Sequence, residues 1–599
     1  MIMKLSDYVM EFLAQKGIQY VFMLPGGGCM HLVDSLGRNK ALEYVPCLHE
    51  QAAAIAAESY AQNTNEIGAV LVTTGPGGTN AVTGLAAAWI DSTPVIFLSG
   101  QVKRSDRIGE SGVRQMGSQE VDIVPIVTPL TKFAVTVMEP TDIRCVLEKA
   151  YHFAMRGRRG PVWVDIPLDV QAAEIEPSEL RGYEPEVKPS DISPAAVEQI
   201  RALVCAAKRP VLLVGNGVKA AAVEEDLQRF REKTGIPTLL TWKTIDLLDF
   251  GDPQYFGTPG GMGHRYANFV LQNADVLLVL GSRLDSSLTA WNHKNFAPRA
   301  KKIVIDIDTA ETDKLDMDIA VRVDGDLAVI LPLLAAQDYK MAAELPAWQE
   351  YCTRMKEKYP AVTAEMRAEN DYVDAHVFID ELSHQLTADD VIVPESSGAA
   401  GEITYQALRV KYGQKVKNAA GLGSMGFGVP YALGACLANG KRRTVLIDGD
   451  GAFQLNIQEL ATIAARKLPI KMFLWMNGGY ASIMGTQRNF FDGNYVASDA
   501  ESGLAIPDIG ALAVAYGFRV FHMEHAQELR SAVAETLASD GPAICLVRVS
   551  PFATASPRTK AVQLPNGSMM SKPLEDMWPF LPAEEIAENM IAGESSNEL

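Results

Sequence analysis

The sequence predicts an α/β protein built from three doubly wound, parallel-sheet domains in series, and three observations carry that reading. A length of 599 residues exceeds what one hydrophobic core accommodates and fits three or four domains. Short apolar, β-branched runs recur along the chain, each ending in a glycine-bearing turn and followed by an alanine-rich helical stretch, the alternation of parallel β-α-β units. Two stretches interrupt the alternation: residues 171–194, with Pro177, Pro185, Pro189 and Pro194, and residues 337–372, charged and helical around 348–358. The domains read from this are 1–180, 191–340 and 370–550, with a tail of 551–599.

Composition bounds the function. The chain is 48% hydrophobic and 21% charged, as in ordinary globular proteins. Its 54 basic against 73 acidic residues give a net charge of −19, which argues against non-specific binding to nucleic acid or to anionic membranes. No apolar run reaches bilayer-spanning length, and residues 1–17, with Asp7 and Glu11, read as an amphipathic helix rather than a signal peptide. The seven cysteines form no Cys-x-x-Cys pair, so neither a disulfide framework nor a zinc site is indicated, and a cytoplasmic location is expected.

In the first domain, a strand over 20–24 runs into Pro25-Gly26-Gly27-Gly28, where the glycines imply unusual backbone angles or close approach by a ligand. His49-Glu50-Gln51 precedes a helix over 52–62, and a strand over 69–73 ends in Thr74-Gly75-Pro76-Gly77-Gly78-Thr79-Asn80. Strands over 95–99 and 162–166 follow, the second after Gly157-Arg158-Arg159-Gly160. In the second domain, a strand over 211–214 leads to Gly215-Asn216-Gly217, a weak dinucleotide-type fingerprint with no acid at a clear distance beyond it. A strand over 275–280 opens to Gly281-Ser282-Arg283-Leu284-Asp285, one over 303–307 carries Asp306 and Ile307, and one over 321–326 carries Asp324-Gly325-Asp326. The third domain begins with a strand over 391–393 and the small-residue turn Glu395-Ser396-Ser397-Gly398, suited to phosphate oxygens.

The chemistry concentrates between Gly449 and Tyr480. A buried-type strand ends in Gly449-Asp450-Gly451-Ala452, a helix is expected over 452–467, Pro469 stops it, and the next strand, 470–476, ends in Asn477-Gly478-Gly479-Tyr480. An Asp and an Asn at the ends of adjacent parallel strands, beside a glycine turn, suit a Mg²⁺ that shares its oxygen shell with a diphosphate. A lone Gly-Asp-Gly is more often an ordinary turn; the ordered set of strand, helix, Asn and Gly-Gly-Tyr is what gives it weight.

At these residues the chain resembles the thiamine diphosphate (ThDP) enzymes, and in its first-domain landmarks especially the acetolactate synthases. Their metal motif is Gly-Asp-Gly followed by Asn at about the spacing seen here, 27 positions from Asp450 to Asn477; the family usually doubles the Asn, whereas Met476 stands first here. The resemblance implies Mg²⁺ on Asp450, Asn477 and Gly479. It places the cofactor at Ser396, Ser397, Gly398, Gly451, Ala452 and Tyr480, with Gly423 accepting from the aminopyrimidine and Met425 wedged beneath it. Glu50 is implied to exchange a proton with N1′ of that ring, with Gly27 and Gln119 completing the catalytic set. In the flavin-containing branch, FAD lies on the second-domain strand ends, here Gly215, Asn216, Gly217, Gly281, Ser282, Arg283, Asp285, Asp306, Ile307, Asp324 and Gly325, with Arg158 from the first domain.

Gln487 and Arg488 fall where acetolactate synthases begin their acceptor-selecting helix. The family places a Trp near the Gln; an Arg there suits phosphate or a hydroxyl-rich ligand better than a methyl group. No histidine lies between His49 and His152, where related decarboxylases use a pair to protonate the carbanion, so the carbanion is expected to attack a second carbonyl. The tail is expected to form an ordered flap over the site, because Leu574, Met577, Trp578 and Phe580 need burial. The resemblance thus implies a ThDP- and Mg²⁺-dependent carboligase, using pyruvate and a 2-oxo acid, aldehyde, ketone or nucleotide-linked keto sugar. A homodimer or homotetramer with sites at the interface is implied. Plain acetolactate synthase, a pyruvate oxidase-type flavin enzyme and a catalytically silent subunit remain open.

Overall fold

The computed structural model describes residues 2–186, 192–563 and 569–591. Three wholly parallel sheets organise them. The first has strands Glu43–Pro46, Tyr20–Met23, Gly68–Val72, Val95–Gln101, Val162–Pro167 and Phe133–Thr136 in spatial order. The third has Lys415–Val416, Val391–Pro394, Thr444–Gly449, Ile470–Met476, Ala543–Arg548 and Arg519–Met523. Numbered along the chain, both sheets run 2-1-3-4-6-5, so the two domains share one topology. Each reverses direction between its first and third strands, and ligands of open α/β sheets bind at the carboxyl ends beside that switch. The turns after those strands are Gly26–Gly28 and Thr73–Asn80 in the first domain, and Glu395–Gly398 and Asp450–Ala452 in the third. The second sheet has five strands, Thr238–Leu240, Pro210–Val214, Val276–Leu280, Lys301–Asp306 and Val321–Asp324.

The first and third domains pack through the helices Glu50–Thr64 and Gly428–Ala438. Residues 50–61, apart from half-buried Gln51, are buried without an exposed stripe, as a helix sealed on all sides requires. Small residues bring the backbones together: a Cβ on Gly434 would stand 2.1 Å from Ala56 O, and Ser59 Oγ donates to Tyr431 O at 2.6 Å. The three domains meet at Asp91. Its carboxylate accepts from Lys243 Nζ of the second domain at 2.7 Å and from Gly421 N of the third at 3.1 Å.

Two expectations are corrected. The stretch after Asp450 is a broken helix: Asp450–Phe453, a 3-10 turn Gln454–Glu459, then Leu460–Ala465. The break lies at Asn456 (φ −138°), whose Nδ2 donates to Gly426 O at 2.7 Å and to Gln51 Oε1 at 3.0 Å. An unbroken helix would withdraw that side chain from both partners. The tail, in turn, does not bury all four of the residues expected to need it. Leu574 and Met577 are buried, but against the second-domain helix Arg265–Gln272: Asn268 Nδ2 donates to Leu574 O at 3.1 Å and Arg265 Nη2 to Pro579 O at 2.6 Å. Trp578 is half-buried and Phe580 stays exposed over the Lys572 ammonium.

Candidate active site

Asp450 opens its turn with a buried carboxylate that accepts from Gly478 N at 2.8 Å and Gly479 N at 3.3 Å, tying the end of one strand to the loop after the next. Burial pushes its carboxyl up to about 6 against those N–H donors. Asn477 Oδ1 faces Asp450 Oδ1 at 2.9 Å and Gly479 O at 3.0 Å. Ligand oxygens about 2.1 Å from a shared Mg²⁺ in adjacent octahedral positions stand about 3 Å apart, so this trio fits one side of such a shell. Turned by half a rotation, the amide would instead donate to the same two oxygens; a cation selects the oxygen-inward orientation. Among the described residues no cluster of three or more His, Cys, Asp and Glu exists, so a metal here would draw further oxygens from a bound phosphate. Gly451 is forced by packing, since a Cβ there would lie 2.6 Å from the Tyr480 ring.

Facing this turn, Ser396 Oγ accepts from Ala419 N at 3.1 Å, Ser397 precedes the helix Gly398–Ala407 with its side chain uncommitted to the cap, and Gly398 holds φ +72° against Ser482. Gly423 (φ +63°) and Met425, 36% exposed, form an open rim. Glu50 is buried at the start of its helix, and its Oε2 accepts from Asn80 Nδ2 at 3.0 Å. Through Gln51 and Asn456 that helix end reaches Gly426, so Glu50 and the Gly423–Met425 turn sit on one hydrogen-bonded network. Gly26 and Gly28 press against Thr73 and Thr74, while Gly27 between them opens to free space. Gln119 holds φ +68° with an exposed side chain, its carbonyl seated on Gly75.

A cavity of about 650 Å³ separates the first and second domains. Arg158, Gly215, Asn216, Gly217, Gly281, Ser282, Arg283, Asp285, Asp306, Ile307 and Gly325 line it. Asp324 does not; its carboxylate accepts from Arg322 Nε at 2.8 Å. The glycines have a backbone reason: Gly215 N donates to Leu280 O and Gly217 N to Gly281 O, and a Cβ on Gly217 would stand 2.7 Å from Gly281 Cα. Arg158 clamps the two domains, donating to Ser92 Oγ at 2.8 Å, Asp308 Oδ2 at 2.8 Å and Glu311 Oε1 at 2.6 Å. The mixture of glycine faces, a buried acid at Asp306 and cationic Arg283 and Lys243 fits a dinucleotide such as FAD.

Three family models match: the thiamine pyrophosphate enzyme N-terminal TPP binding domain over residues 3–126, the central domain over 197–334, and the C-terminal TPP binding domain over 397–547. The chain belongs to the thiamine pyrophosphate enzymes. Its relatives include the acetolactate synthase isozyme 2 large subunit of Escherichia coli K12, 32% identical with 96% of this chain and 99% of the relative covered. The acetolactate synthase large subunit of Corynebacterium glutamicum is 34% identical, with 88% and 83% covered. The chloroplastic acetolactate synthase 1 of Nicotiana tabacum is 33% identical, with 90% and 80% covered. Thiamine pyrophosphate is ThDP under another name, and within the family the chain is an acetolactate synthase-like carboligase.

In this ThDP enzyme Gln487 is spent on scaffolding: Nε2 donates to Val496 O at 3.0 Å and Oε1 accepts from Ser498 Oγ at 2.6 Å. Ser498 O in turn accepts from Tyr480 N at 2.9 Å, so Gln487 fixes the loop over Gly479. Arg488 is exposed, its guanidinium 4.3 Å from the centre of the Phe552 ring. Sequence reasoning missed a carboxyl pair behind the Glu395–Gly398 and Asp450–Ala452 turns. Glu395 and Asp448 converge on Gly428, whose Cβ would lie 2.6 Å and 2.5 Å from their oxygens. Burial, reinforced by their mutual repulsion, pushes Glu395 well up; burial, with repulsion from Asp450, takes Asp448 to about 7. Also missed were Asn456 and Lys243, whose partners come from remote segments and which no local spacing marks, and the bond from Asn80, at the end of its glycine turn, to Glu50.

Proposed function

We propose that the chain decarboxylates a 2-oxo acid, with pyruvate as donor, and joins the remaining two-carbon unit to a second carbonyl compound, in the presence of Mg²⁺. Two observations carry this: the oxygen trio at Asp450, Asn477 and Gly479, and buried Glu50, whose helix end reaches Gly426, beside the Gly423–Met425 turn, through Gln51 and Asn456. When bound, ThDP supplies the electron sink that makes loss of CO₂ feasible. Asp450, Asn477 and the Gly479 carbonyl would hold Mg²⁺, leaving its other positions to diphosphate oxygens. The small turn Ser396–Gly398 and the Gly451–Ala452 backbone leave room for those oxygens to approach. Met425 would support the cofactor from beneath. Glu50 would hold and return the proton exchanged at the aminopyrimidine, with Asn80 fixing the carboxylate.

No histidine lies between His49 and His152, where related decarboxylases carry the pair that protonates the carbanion, and this favours carbon–carbon bond formation. FAD in the interdomain cavity would be structural. Leu48, 55% exposed, and Leu455, 45% exposed, stand with Met425 around the rim, and a second copy of the chain would cover them; the proposed assembly is a homodimer or homotetramer. The test is reconstitution of metal-stripped protein. CO₂ release from pyruvate returns with ThDP plus Mg²⁺ and with neither alone, the protein is yellow, and its flavin stays oxidised when pyruvate is added without oxygen. Full turnover without a divalent metal would overturn the metal assignment; a flavin bleached by pyruvate would replace carboligation with oxidation.

A further inference from the structure

Three cations from two elements gather beside the acceptor helix Ala481–Phe490. Arg488 of that helix stacks on Phe552, at the start of the segment that carries Arg558 and Lys560. Arg558 and Trp578 exchange backbone hydrogen bonds, Arg558 N to Trp578 O at 2.8 Å and Trp578 N to Arg558 O at 2.7 Å, and Lys560 Nζ lies 4.1 Å from the centre of the Trp578 ring. Burial and then the nearby Arg558 and Arg488 guanidiniums lower the Lys560 ammonium. Among the described residues none of the three forms an ion pair. Lys572 on the same tail, by contrast, is paired with Asp576 at 2.5 Å. The acid that senses Arg558 is Glu402, pushed up by burial and not ion-paired with it. Aromatic faces and one hydroxyl position these cations: Arg558 Nη1 donates to Thr554 Oγ1 at 2.9 Å, while Arg488 and Lys560 donate to no group among the described residues. The unspent donors of these three cations are free to take an anion.

The place is the rim of the cofactor site. Ser482 opens the same helix against Gly398 of the phosphate turn, and Arg488 follows six residues later, about 9 Å along the axis. Thr559 N donates to Gly261 O at 2.7 Å, and Gly261 lines the interdomain cavity. We propose that Arg488, Arg558 and Lys560 form the subsite for a phosphate group carried by the carbonyl acceptor. The inference rests on the carboligase reading and deepens it to an acceptor class, phosphorylated or nucleoside-diphosphate-linked aldehydes and ketones. A plain 2-oxo acid offers one charge, which a single Arg meets bidentately; a phosphate ester or diphosphate offers about two charges and several acceptor oxygens, matching three cations with unspent donors.

The test compares D-glyceraldehyde with D-glyceraldehyde 3-phosphate as acceptors at saturating pyruvate, on the ThDP-loaded enzyme. The phosphorylated acceptor should show a KM at least about tenfold lower, and Arg558→Gln and Lys560→Gln should each erode that ratio about tenfold by raising its KM more than they lower kcat. Competition by glycerol 3-phosphate against UDP separates a monoester site from a diphosphate site. A wild-type ratio near one, or a ratio unmoved in both variants, overturns the subsite. If neither aldehyde reacts and pyruvate alone gives no carbon–carbon product either, the carboligase reading fails. The subsite is then judged by calorimetry with glycerol 3-phosphate and UDP: binding that weakens in both variants supports it, and no binding of either overturns it.

Discussion

Glu50 meets the two requirements of a proton exchanger that a static structure can display: a buried carboxylate and a fixed orientation, given by Asn80 Nδ2 at 3.0 Å. Glu50→Gln keeps the shape and removes the exchangeable proton, so hydrogen–deuterium exchange at the cofactor's C2 is expected to slow by about 10²–10⁴-fold while ThDP still binds. Exchange at the wild-type rate, measured by quenched NMR, would remove Glu50 from the chemistry. Asp450→Ala deletes the charged member of the oxygen trio and leaves Asn477 Oδ1 and the Gly479 carbonyl without it. Loss of ThDP affinity by at least about tenfold in excess Mg²⁺ is expected by calorimetry, and retained affinity would contradict the metal assignment. Both residues were legible in the sequence because each sits inside a contiguous motif that imposes its own geometry. Asn456 was not, because nothing local marks it. Its role depends on Gly426 and on Gln51, 405 positions away. Gln487 was placed on the helix, but its bonds to Val496 and Ser498 were not foreseen, since the loop that engages it carries no signature.

The pair of helices Glu50–Thr64 and Gly428–Ala438 joins the first and third domains, and two predictions belong to it. A methyl group at Gly434 would meet Ala56 O at 2.1 Å, so Gly434→Ala is expected to destabilise by about 1–3 kcal/mol or more, whereas Gly37→Ala, with nothing within 4 Å, should be close to neutral. Equal unfolding midpoints for the two variants would show that the helices do not pack as described. Glu58, on the same helix, is pushed up from 4.5 to about 8 by burial and by the Asp91 carboxylate, against the opposing Lys243. The folded state therefore keeps a proton that the unfolded chain releases above about 4.5. This stability is full below that pH and falls as pH rises towards about 8. Glu58→Gln should flatten the decline, so its unfolding midpoint rises relative to wild type more at pH 8.5 than at pH 6; an identical offset at both would refute the linkage. The strands around these helices were readable from their apolar runs and glycine turns. The kink at Asn456 was not, because helical spacing continues through it in the sequence.

Across the whole molecule, Asp91, Lys243 and Gly421 pin all three domains together, with side-chain exposures of 4% and 15% for the ion pair. Lys243→Met leaves the Asp91 carboxylate buried without its cation, and breaking such a pair costs about 3–5 kcal/mol. A drop of several degrees in the unfolding midpoint is expected by calorimetry, and an unchanged midpoint would mean that the domains are held elsewhere. The shared 2-1-3-4-6-5 strand order of the first and third sheets was invisible in the sequence, since it resides in pairings between remote strands rather than in repeated residues. The tail's docking on Arg265–Gln272 was hidden for the same reason: hydrophobic residues announce burial but not the surface that buries them. Whether the two half-sites form one carbon–carbon bond-making centre is tested most directly by mass spectrometry of products from fully ¹³C-labelled pyruvate with ThDP, Mg²⁺ and unlabelled acceptors. An adduct carrying two labelled carbons from the donor joined to the acceptor, formed together with labelled CO₂, is expected. Labelled acetaldehyde or acetate alone, with every acceptor recovered unchanged, would contradict it.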